Sequence, residues 1–199
     1  MYALGALRRA LSDLWDEALL VIVIGLLGGL FSLPILTIPL VLAAHYNAAL
    51  RISEQRVVSI RDWFRLSREH LRFFVMWALL ATLVGVILAG NVLFYLRLGP
   101  EWARLLAWSI AGLFFTWILP QPFVPAFYLQ QTDRRLRTAL RNTMVLIVTD
   151  PSSIVVLWLS AAVLAVPLAY FAWPLLPALM PFIVLVSTRI VKGYAQPEA

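Results

Sequence analysis

Charged residues in this chain fall into short clusters that leave four long uncharged runs, 18–50, 73–96, 105–132 and 151–188. The runs are 33, 24, 28 and 38 residues long. A helix crossing the hydrocarbon core of a bilayer needs roughly 20 apolar residues at 1.5 Å per residue. The second and third runs therefore predict one pass each. The first and last are too long for one ordinary pass, and both carry breakers near the middle. Pro34 and Pro39 frame one break and Trp173-Pro174 marks the other. Proline removes a backbone donor and disfavours helix in the residue before it. Each long run is thus expected to form a tight hairpin of two short spans. The expectation is one all-α transmembrane domain over 1–199, with six spans at about 18–33, 36–50, 73–96, 105–128, 152–171 and 175–191.

Basic residues give an independent test of that count. They form five groups: Arg8 and Arg9; six arginines over 51–72; Arg97 and Arg104; four arginines over 134–141; and Arg189 with Lys192. Six passes place 14 of the 16 on one side and only Arg97 and Arg104 on the other. The positive-inside rule makes the richer side cytoplasmic, so both termini are expected there. Four passes would put 51–72 opposite the N-terminus and leave a much weaker bias.

Three segments between the runs, about 3–16, 58–72 and 133–149, carry apolar and basic residues on different helical faces. In the first, Leu4, Leu7, Leu11 and Leu14 recur at helical spacing opposite Arg8, Arg9 and Asp13. In the second, Arg61, Arg65, Arg68 and Arg72 fall within about 60° of one another on a helical wheel, with Trp63 and Phe64 on the other side. Ser59 is placed to cap that helix, with Asp62 as its capping-box partner. In the third, Arg134, Arg137 and Arg141 share a face. Two readings fit these segments. They lie at the inner leaflet with arginines toward lipid phosphates, or at least one is a docking surface for a protein partner. Arg61, Arg65, Arg68, Arg72, Trp63 and Phe64 are the candidate contacts in either case.

Composition agrees: 62% of residues are hydrophobic and 13% charged, against about 25% charged in an ordinary soluble domain. The net charge of +6 sits between apolar runs rather than on a soluble face, so lipid headgroups explain it better than nucleic acid does. The chain has no cysteine, which removes disulfides and thiolate metal sites. Its first apolar run is more than twice the roughly 7–15 residues of a signal-peptide core, so no cleaved signal is expected.

Chemistry-bearing residues inside the runs are few. His45, Tyr46 and Asn47 form the densest polar cluster, and Asn91 lies near the outer end of the third span. Such residues are costly in a bilayer and are the candidate intramembrane polar site. Gly25 and Gly29 form a small-xxx-small pair for helix packing, within one chain or in a homo-oligomer. The breaks at Pro34–Pro39 and Pro120–Pro125 either kink helices or line a transport cavity. The chain lacks HExxH, GxSxG, a phosphate-binding loop and a carboxylate pair within a span, so no catalytic, metal or cofactor site is expected.

Leu33-Pro34 through Pro39, Ala44, Tyr46 and Leu50; Val58-Ser59-Ile60-Arg61-Asp62-Trp63-Phe64-Arg65 with its basic continuation; Asn91-Val92-Leu93-Phe94-Tyr95; and Arg141-Asn142 to Asp150-Pro151 together resemble the YesL-like family of bacterial integral membrane proteins. The chain departs from that pattern in having His45 before Tyr46 and Arg/Trp-rich loops. The resemblance implies the bacterial cytoplasmic membrane. It also implies a non-enzymatic accessory or regulatory role beside ATP-binding-cassette importers of carbohydrate. The alternative is a small transporter or channel that uses the proline-broken helices.

Overall fold

A computed structural model describes residues 2–195. The described chain is all helix, with turns and two 3₁₀ segments between α-helices. In order these are α1 (Tyr2–Asp16), α2 (Ala18–Phe31), α3 (Ile38–Ser53), α4 (Ile60–Leu66), α5 (Leu71–Arg97), α6 (Glu101–Ile118), α7 (Phe123–Gln130), α8 (Leu136–Thr149), α9 (Ser152–Phe171) and α10 (Leu179–Ala195). Among the described residues five stretches are long and apolar enough to cross a membrane: Ile35–Ser53, Leu71–Arg97, Glu101–Gln130, Ser152–Phe171 and Trp173–Ala195. A sixth qualifies only as α1 and α2 together, which meet at 89°. The all-helical membrane fold with five to six apolar spans therefore stands. The fourth expected span runs from Glu101 to Gln130, with its α-helix interrupted at Leu119–Pro122 between α6 and α7.

The first hairpin differs from expectation. α2 has 14 residues, about 21 Å of helix, short of the roughly 30 Å hydrocarbon core. It touches α3 at few places and instead packs along the 3₁₀ segment Trp173–Ala178. Glycine is the reason. A Cβ on Gly25 would stand 2.5 Å from Ala178 Cα, and one on Gly29 would stand 2.7 Å from Pro177 Cβ. The missing side chains let two backbones close together, as small residues do in membranes. Gly25 and Gly29 therefore pack within one chain.

The buried core gathers toward one end of the molecule. It comprises α3 from Val41 on, 181–191 of α10, most of α7, the start of α5, and Trp63 and Leu66 of α4. Around it α5, α6 and α9 expose long apolar faces. Leu79, Leu83, Val86, Leu105, Trp108 and Val163 are all well exposed. Such surface suits lipid rather than water. α1 is held by its alanines: Ala3, Ala6 and Ala10 are buried, while Leu4 and Leu11 face outward.

Candidate functional site

The end of the bundle that holds the core also collects most of the basic residues. Arg189 of α10 donates two hydrogen bonds to the Asp13 carboxylate of α1, at 2.6 and 2.7 Å. Lys192 donates to the Ser53 carbonyl at the end of α3, at 2.8 Å. Arg51 pairs with Glu69 at 3.3 Å, and Arg134 donates to His70 Nε2 at 3.0 Å. These contacts stitch α1, α10, α3, the α4–α5 turn and the α7–α8 turn into a single polar layer. Arg97 and Arg104 lie outside it, where the α5–α6 hairpin turns, and Arg104 donates to the Gly99 carbonyl.

Arg61, Arg65, Arg68 and Arg72 are all exposed on this end. They do not lie on one helix. α4 stops at Leu66, the chain turns over 67–70 with His70 in a left-handed conformation (φ 57°), and α5 begins at Leu71. The expected continuous amphipathic helix over 58–72 is therefore two helices and a turn. A buried amide supports the break. Asn47 Nδ2 reaches the Leu66 and Glu69 carbonyls at 3.5 and 3.4 Å, as well as Ala43 one turn back at 2.8 Å. At the other end of α4 the expected capping box is present. Ser59 Oγ accepts from the Asp62 amide at 3.1 Å, and the Asp62 carboxylate accepts from Ser59 N at 3.2 Å. The hydrogen bonds from Ser59, with help from Arg65, hold the Asp62 carboxyl below its ordinary range.

Of the two aromatic candidate contacts, Trp63 is corrected, while Phe64 stays at the surface. Trp63 is buried, 2% exposed, against His45 and Phe31, so it offers nothing to a headgroup or partner. Phe64 is partly exposed, with its ring edge-on to Phe31 at 5.5 Å. A tryptophan among arginines reads as interfacial, but α4 is anchored by it.

His45, Tyr46 and Asn47 are all buried but do not converge. Consecutive helical residues point about 100° apart, and each serves a different seam. His45 faces Trp63 and α2, where a Cβ on Gly28 would stand 2.9 Å from its Cε1. Tyr46 packs on Phe74 and Trp77 and donates to the Pro122 carbonyl at 2.8 Å. Asn47 holds the end of α4. Asn91 is remote from all three, exposed on α5, with its amide donating to the Ile87 carbonyl of its own helix. Two buried atoms in this region, His45 Nδ1 and Trp63 Nε1, have no hydrogen-bond partner.

The proline break between α6 and α7 is a satisfied joint. Tyr46 takes the Pro122 carbonyl and Trp158 Nε1 takes that of Leu119, at 2.9 Å. Gln121 accepts from Trp77 Nε1 at 2.9 Å and donates to Trp117 O at 3.0 Å. Sequence reasoning passed over Trp77, Gln121 and Trp158, and it passed over Asp13 as the partner of Arg189. The only signal was that tryptophan and glutamine inside apolar runs need partners.

His70 is half-buried in the polar layer. Burial first, and then the Arg134 guanidinium beside it, lower its pKa below the ordinary histidine value, partly offset by Glu69.

No family model, curated protein or solved structure matches the chain. The likeness to the YesL-like family rests on the sequence segments alone.

Proposed function

We propose that this chain is a non-enzymatic accessory or regulatory subunit of a bacterial cytoplasmic membrane, with both termini inside. On this reading it engages its partner through the arginine face at the charged end. The observation that carries the reading is the layer itself. Arg61, Arg65, Arg68 and Arg72 are exposed on a platform braced across helices by the Arg51–Glu69, Arg134–His70, Arg189–Asp13 and Lys192–Ser53 contacts, with Arg65 also paired to Asp62 of its own helix. A braced, cationic surface beside a membrane suits an acidic cytoplasmic surface of another membrane assembly. A carbohydrate importer of the ATP-binding-cassette type is the partner that the family resemblance suggests.

The transport reading has less support. Its best feature was the Pro120–Pro125 break, whose freed carbonyls are taken by Tyr46 and Trp158. A carbonyl already bonded within the protein is a poor ligand for a passing solute.

The test is mild extraction from the native membrane followed by mass spectrometry of what remains bound. Importer subunits in fixed stoichiometry are expected with the parent chain. They should be lost when Arg61, Arg65 and Arg68 are changed to Glu, with insertion unchanged. Unaltered recovery from the triple variant would sink the assignment of this face. Solute flux through liposomes holding the pure protein alone would favour the transport reading instead.

A further inference from the structure

We infer that the groove between α1, α9 and α10 binds one acyl chain of an anionic phospholipid, whose phosphate lies at Arg8. The groove has a volume of about 390 Å³, within the range of roughly 300–1,000 Å³ found for small-molecule sites. Leu4, Leu7, Leu11 and Leu14 of α1 form one wall, and Leu159 and Val163 of α9 form the other. Ser160 is the one polar side chain lining it, and its hydroxyl donates to the Leu157 carbonyl at 2.9 Å. A hydrocarbon chain is the ligand that such walls accept without leaving a polar atom unpaired.

Charge decides which hydrocarbon. At 100° per residue, Arg8 lies about 40° from Leu4 and about 60° from Leu11 around α1. It sits on the exposed side of the leucine wall, away from the buried Ala3, Ala6 and Ala10. Trp15, 84% exposed, lies on the same side two turns further on. A cation and an indole flanking an apolar slot match a lipid at the membrane interface, with its chain in the slot and its phosphate at the guanidinium. The neutral lining gives no purchase to a charged partner helix, and the positive rim disfavours a second copy bringing its own Arg8.

The test loads the purified full-length protein with phosphatidylglycerol or phosphatidylcholine in micelles and counts retained lipids by the mass of the intact protein. The parent is expected to retain one phosphatidylglycerol about fivefold better than phosphatidylcholine, the effect of one basic side chain near an anionic group. Arg8→Gln, on an exposed position that cannot disturb the core, should abolish that preference while leaving phosphatidylcholine retention unchanged. Val163→Trp, which fills the groove, should remove the retained lipid of either kind. Equal retention of the two lipids by the parent, or an Arg8→Gln variant that keeps the preference, overturns the inference. So does a dimer mass that Val163→Trp abolishes, which would make the groove an interface between copies.

Discussion

The ion pair between Asp13 and Arg189 joins the first helix to the last, 176 residues apart in sequence, and its removal should undock α1. Their side chains are 11% (Arg189) and 14% (Asp13) exposed, and the guanidinium donates to both carboxylate oxygens. Asp13→Asn keeps the shape but leaves a nearly buried arginine facing a neutral amide. Stranding one charge of a buried pair costs about 3–5 kcal/mol. The remaining exposure and the partial acceptance by the amide oxygen reduce this to about 2–4 kcal/mol. The rest of the α1 seam is buried alanine with Leu7 and Leu14 packed only partly against the core, so apolar contact offsets part of the loss and not all of it. Because the chain has no cysteine, Ala6→Cys on the buried face of α1 gives a single thiol that reacts only when α1 lifts. At about 1.4 kcal/mol per tenfold, Asp13→Asn should speed its labelling by roughly 30- to 700-fold. Replacing both partners with apolar residues, Asp13→Leu with Arg189→Met, should recover most of that loss, since no charge is then stranded. Labelling of the Asp13→Asn variant within threefold of its parent would refute the reasoning, because α1 would then be held by something other than the pair.

Gly25→Ala places a Cβ 2.5 Å from backbone of Ala178 and should cost about 1–3 kcal/mol, seen as a lower melting temperature in detergent. Gly5→Ala, where nothing stands within 4 Å, should be neutral or slightly stabilising. Equal effects at the two positions would remove the α2 packing argument. Tyr46→Phe strips the donor from the Pro122 carbonyl and should cost about 1–3 kcal/mol, whereas Tyr95→Phe, out on the α5–α6 hairpin, should cost nothing measurable. The His70 contact is sensitive to acid. Its folded pKa is lowered, so the unfolded chain binds the proton more readily, and stability falls as pH drops below about 6.5, the ordinary histidine value. Protonated His70 also cannot accept from Arg134. Between pH 8 and pH 5 the parent should therefore lose more thermal stability than His70→Gln, and an identical loss in both would show that His70 carries none of it.

Much of the architecture was legible in the sequence, for reasons that are local. An uncharged run of the right length has no stable place but the bilayer, and the charges on either side limit how far it extends. Accordingly the expected span 152–171 coincides with α9, and 73–96 differs from α5 by two residues at one end and one at the other. Ser59 and Asp62 cap α4 because a capping box needs only four consecutive residues to be recognised. Asp150 likewise accepts from the Ser153 hydroxyl where α9 begins, at 2.7 Å.

Which face of each helix turns inward, and which partner it meets there, is set by packing between helices. In a soluble protein the apolar stripe of a helix reports its buried side. In a membrane both sides are apolar and the stripe says nothing. α9 buries Leu157 and Ala161 while exposing Val155, Leu159, Val163 and Val166, and hydrophobicity does not separate those two sets. Rotation about the helix axis is set instead by close backbone approach and by polar atoms seeking partners. That is why Gly25 meets Ala178, Tyr46 meets Pro122 and Asp13 meets Arg189, and why adjacent His45, Tyr46 and Asn47 serve three seams instead of one site. The turn at 67–70 has the same origin. The arginine periodicity there continues through the break, but the carbonyls at the end of α4 are met by an amide from α3, a partner contributed by a residue 19 and 22 positions away.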